Sequence, residues 1–85
     1  MMNFKQEEVL QNIIAKLQEK FPEVQLVSVE ELGADSFWVT LIEPSDEDRQ
    51  IELEALQGEL VTDALMDYGF VFQLVPASME KTGVK

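Results

Sequence analysis

Phe37-Trp38-Val39-Thr40-Leu41-Ile42 (FWVTLI, residues 37–42) is the stretch whose reading decides the fold. Six aromatic, β-branched or aliphatic residues follow a turn-forming segment and stop two residues short of Pro44, which is the signature of a β-strand too short to be a helix. Side chains along a strand alternate between its two faces. Phe37, Val39 and Leu41 therefore point one way, and Trp38, Thr40 and Ile42 the other. Neither set is polar enough to face water freely, so this strand asks for cover on both sides.

Moving towards the N-terminus, Gly33-Ala34-Asp35-Ser36 is a turn, and Val24 to Leu32 is a second β-like run, so residues 24–42 read as a hairpin. Before it, Leu10, Ile13, Ile14, Leu17 and Phe21 recur at the spacing of one helical face, with Lys5, Glu8, Gln11, Gln18 and Glu19 on the other. Asn3 is a good N-cap and Gln6, three residues on, completes a capping box. Pro22 stops the helix, because the residue before proline is pushed out of the α region. The spacing predicts a helix over residues 4–20.

Moving towards the C-terminus, Ser45 is the expected N-cap of a second helix, with Asp46, Glu47 and Asp48 in its first turn, where carboxylates suit the positive end of the helix dipole. Leu53, Leu56, Leu60, Ala64 and Leu65 form its apolar face, and Gly69 is its stop. Gly58 lies inside that helix, where it marks a bend or a close contact with the sheet. Phe70 to Val75 is a third strand, closed by Pro76. The expected order is α-β-β-α-β: an α+β fold, a two-layer sandwich of a three-stranded sheet with two helices on one face. Residues 1–76 form a single domain, and residues 77–85 a loose C-terminal tail.

The chain has 85 residues, room for one core that removes roughly 60% of the unfolded chain's surface from water. Hydrophobic residues make up 46% and charged residues 27%, ordinary for a folded protein. There is no cysteine and no histidine. Disulfides, thiolate chemistry and zinc–sulfur sites are thereby excluded, and so is the side chain most often used as a general base near neutral pH. Six Lys and Arg against 17 Asp and Glu give a formal charge of −11, which repels nucleic acid and anionic membrane alike. The first 20 residues are too polar for a signal peptide or a membrane span, and a cytoplasmic protein is expected.

Three groups of side chains could carry chemistry. Glu43, Asp46, Glu47 and Asp48 could hold a divalent cation, but they sit where a helix begins and where acidic residues stabilise it in any case. Glu30, Glu31 and Asp35 surround the hairpin turn and read as its solvated rim. Tyr68 and the hydroxyl residues Ser28, Ser36, Thr40, Ser45, Thr62, Ser78 and Thr82 have no histidine to activate them, and neither a Gly-x-Ser-x-Gly elbow nor a Ser-x-x-Lys pair is present. No catalytic residue, metal or cofactor is assigned, and the chain reads as a non-enzyme.

The cadence of VLQNIIAKLQEKFPEVQLVSV, GADSFWVTLIE and ELEALQGELVTDALMDYGFVFQLVPASMEK resembles the minimal nucleotidyltransferase fold of the polymerase β-like superfamily. That resemblance implies a phosphate-binding Gly-Ser turn and acidic metal ligands. At the turn this chain has Val27-Ser28-Val29-Glu30-Glu31, without glycine. Asp35 matches the first metal-binding aspartate, its partner position is Phe37, and the third acidic position falls near Phe72 or Gln73. One carboxylate cannot hold two magnesium ions. The kinship implies a catalytically inactive relative, or a domain with residual nucleotide or metal binding. The order of elements is also that of BolA-like and ferredoxin-like domains.

The two-sided strands suggest a different function. In the third strand Phe70, Phe72 and Leu74 lie opposite Val71 and Val75, with Gln73 between the two valines. Two helices cover one face of three strands, so the apolar surface on the other needs a further partner. Trp38, Thr40, Ile42, Val71, Gln73 and Val75 are the expected contact residues, and the partner is a second copy of the chain, giving a homodimer, or another protein. The alternative is that the tail, with Met79 and Val84, covers that face. The charge alone also allows an acidic mimic of nucleic acid that occupies a basic protein's groove.

Overall fold

The structure, a computed structural model, describes residues 2–77. Its elements are α1 (Phe4–Lys20), β1 (Gln25–Glu31), β2 (Ser36–Ile42), α2 (Glu47–Tyr68) and β3 (Val71–Pro76). This is the α-β-β-α-β order, an α+β fold with both helices on one face of a three-stranded mixed sheet. The residues expected in a C-terminal tail lie, beyond Ala77, outside the described residues.

The α1 N-terminus forms as its capping box dictates. The Gln6 amide N–H donates to Asn3 Oδ1 at 2.8 Å, and the Asn3 N–H donates to Gln6 Oε1 at 3.0 Å. α2 begins one residue later than expected, because Asp46 and not Ser45 is its N-cap. One Asp46 carboxylate oxygen accepts from the N–H groups of Asp48 and Arg49 at 2.8 and 3.3 Å. A carboxylate is the stronger acceptor for these free donors and adds its charge to the favourable end of the dipole. α2 ends at Gly69, whose φ of 77° is left-handed and whose N–H donates to the Leu65 carbonyl at 2.8 Å. Beside Gly58 there is open space: an added Cβ would meet nothing within 4 Å. The expectation of a close sheet contact at Gly58 is not met, and no special backbone angle requires a glycine there.

The sheet order is β1-β2-β3, so FWVTLI is the central strand. β1 runs antiparallel to β2, and β3 runs parallel to it, as a strand returning through a helix does. The register pairs Val29 with Val39, Phe37 with Phe72 and Val39 with Leu74, and these residues share the helix side. Phe37, Val39 and Leu41 are fully buried there against Leu10, Ile14 and Leu17 of α1 and Leu53 and Leu60 of α2, all in one cluster. Leu65 departs from the expected core: at 49% exposure it lies outside the apolar stripe, while Gln57 is buried instead. Between Leu26 and Ser28 the β1–β2 register shifts, leaving Val27 as a bulged residue.

The helices run antiparallel, and each end of the pair is fastened. At one end Arg49 donates to both carboxylate oxygens of Glu23 (2.8 and 3.0 Å) and lies 5.0 Å from the centre of the Phe21 ring. At the other, the Lys5 ammonium sits 5.0 Å from the centre of the Tyr68 ring.

Candidate functional site

The surface opposite the helices is built from alternate positions of the three strands. Register places Glu30, Trp38 and Gln73 in one row across it, and Ser28, Thr40 and Val75 in the next. Gln25 and Ile42 lie beyond one end, and Ser36 and Val71 beyond the other. The six residues expected at a partner contact are thus brought together on one face. Among the described residues, no helix or strand lies over it.

These six residues are not equally open. Ile42 is 44% exposed and Val71 36%, Gln73 is exposed, and Trp38 and Val75 are half-buried. Thr40 is at 0% exposure. It lies at the centre of the face, between Trp38 and Ile42 along β2 and between Ser28 and Val75 across the sheet. Thr40 is thus the one expected contact residue of the six with no exposed surface. Its Oγ1 has no hydrogen-bond partner among the described residues, an uncommon condition for a buried hydroxyl.

The carboxylate groups are placed otherwise. Asp46 caps α2, while Glu47 and Asp48 point into solvent in its first turn. Glu43, at the end of β2, is half-buried and accepts from Gln57 Nε2 at 3.3 Å. Burial raises its pKa above the ordinary carboxylate value, the Gln57 hydrogen bond opposes that shift, and the nearby charge of Glu54 adds to it. Glu23 moves the other way, its pKa lowered chiefly by the hydrogen bonds from Arg49. Among the described residues, no three Asp or Glu side chains converge where a cation could be held. No helix among them is long and apolar enough to cross a membrane.

Asp35, expected at the solvated rim of the hairpin turn, has a structural task. Its Oδ1 accepts from Gln6 Nε2 at 3.0 Å, the same amide donates to the Ala34 carbonyl at 3.1 Å, and the Asp35 carbonyl accepts from the Val71 N–H at 2.8 Å. The start of α1, the hairpin turn and the start of β3 are tied together at this one point. Gln6 is 3% exposed, and nothing in the helical periodicity reveals that, since a capping-box glutamine ordinarily faces water. The same end of the molecule displays Phe4 (82% exposed), Met66 (78%), Leu32 and Tyr68, an apolar rim that the sequence reading did not anticipate. Tyr68 stacks on Phe70, with ring centres 5.6 Å apart.

No protein-family model, curated protein or solved structure matches the chain.

Proposed function

We propose that this protein is a small non-catalytic interaction domain that meets a protein, a second copy of itself or another chain, through the helix-free face of its sheet. The observation that carries the reading is the patch of Trp38, Ile42, Val71 and Val75 on a face that no described helix or strand covers. A half-buried tryptophan framed by aliphatic side chains and one glutamine is the composition of an interface centre, where aromatic anchors dominate binding. The charge of −11 complements it: carboxylates around the patch oppose unselective aggregation and favour neutral or basic partners.

The test uses charge insertion at positions already open to solvent, where folding tolerates it. The wild-type chain should bind a dye for apolar surface, or rise above monomer mass in light scattering. Ile42→Glu together with Val71→Glu should abolish whichever is seen while circular dichroism stays unchanged. A monomeric wild type with no dye-accessible apolar surface contradicts the reading.

A further inference from the structure

Between the two helices lies a groove of about 170 Å³ to which no strand residue contributes. Its floor is apolar: Val9 and Ile13 of α1 and Leu60 and Ala64 of α2 are all buried. Its walls are polar and exposed, with Asn12 and Lys16 supplied by α1 and Asp63 and Asp67 by α2. Each of these pairs is spaced four residues apart, so each presents both members on one side of its helix.

The charges on the two walls face one groove without joining across it. Elsewhere the helix pair is fastened by cations, Arg49 on Glu23 at one end and Lys5 over Tyr68 at the other. Between those ends, Lys16, Asp63 and Asp67 form no ion pair with a described residue. An ion pair between exposed side chains gains little in water. These groups therefore stay open to a ligand that brings both complementary charges together and places its apolar part on the floor, where it leaves water.

We propose that this groove binds a free aliphatic α-amino acid as its zwitterion. The ligand's carboxylate accepts from the Lys16 ammonium and the Asn12 amide, its ammonium donates to Asp63 and Asp67, and its side chain rests on the apolar floor. The other classes of small ligand fit less well. A plain anion meets two carboxylates for one ammonium in a chain of net charge −11, whereas a zwitterion is not repelled over long range. A plain cation leaves Lys16 beside a like charge with nothing to pair. The volume, about 170 Å³ against roughly 300 Å³ or more for drug-sized ligands, admits one amino acid and not a peptide. This site goes beyond the sheet-face reading and shares no residue with it.

The test follows the backbone amide resonances of the full chain by nuclear magnetic resonance as L-leucine is added. Saturable shifts at millimolar leucine are expected, confined to Val9 through Lys16 and Leu60 through Asp67. Two analogues, leucinamide and 4-methylpentanoate, each lack one of the two charges and should bind about tenfold more weakly. Lys16→Gln should remove leucine's advantage over leucinamide, and Asp63→Asn with Asp67→Asn its advantage over 4-methylpentanoate. Leucine that moves no groove resonance at tens of millimolar overturns the site. So does either analogue binding as tightly as leucine, which would reduce the groove to apolar contact alone. The analogue comparison uses the unaltered chain, so it decides the matter even if a variant does not fold. Ile42→Glu, aimed at the sheet face, should leave leucine binding unchanged, so the two readings fail separately.

Discussion

Thr40 concentrates the sheet's two-sidedness in one side chain. Its hydroxyl is buried without a partner among the described residues. Thr40→Val should therefore raise stability by about 1 kcal/mol, read from urea unfolding; a loss of similar size would mean that the hydroxyl has a partner in solution. The two α2 glycines should behave oppositely. Gly58 has helical backbone and open space beside it, so Gly58→Ala should add about 0.5–1 kcal/mol. Gly69 holds a left-handed angle that a Cβ resists, so Gly69→Ala should cost about 1–2 kcal/mol. Equal effects in the same unfolding assay would contradict this account of both positions. Residue-level reading of the sequence succeeded where chemistry is local, as in the Asn3–Gln6 capping box. It failed where a distant partner decides: nothing near Gln6 signals that its amide also holds Ala34 and Asp35.

At the scale of elements, periodicity carried most of the information. The α1 limits emerged as Phe4–Lys20 because a capping box and a proline bound the repeat on both sides. The start of α2 was misplaced because Ser45 and Asp46 are adjacent and both are good caps; the geometry after Pro44 favours the carboxylate. The bulge at Val27 left no mark in composition, since a valine suits a regular strand as well as a bulged one. Between elements, Glu43 and Glu23 link stability to pH with opposite signs. Glu43 is raised in the folded state, so its protonated form favours folding; that contribution is complete below pH 4.5 and is lost as pH rises through the folded value. Glu23 is lowered, so its contribution is present above pH 4.5 and is lost as pH falls through the folded value. Glu43→Gln keeps an acceptor for Gln57 and removes the buried charge. It should stabilise the protein at pH 7 and have little effect at pH 4, in thermal melts at the two values. Equal effects at both pH values would show that burial of the charge is not the cause.

For the whole molecule, the fold was legible because one hydrophobic strand, two amphipathic helices and their order leave few ways to close a core. The candidate face was legible from strand alternation, but its internal relief was not. Strand alternation puts Thr40 on that face but not its 0% exposure, which only packing sets. The apolar end around Phe4, Met66 and Tyr68 also escaped notice, because its residues come from the start of α1 and the end of α2, far apart in sequence and brought together only by folding.

Trp38 is the chain's one tryptophan and stands in the middle row of the proposed binding face, so its fluorescence reports directly on whether that face is used. The decisive measurement is the emission maximum and acrylamide quenching of Trp38 as protein, or a candidate partner, is titrated in. Binding through the sheet should shift the emission to shorter wavelength and protect it from the quencher, and Ile42→Glu should remove both changes. Complex formation that leaves emission and quenching unchanged would contradict a role for this face.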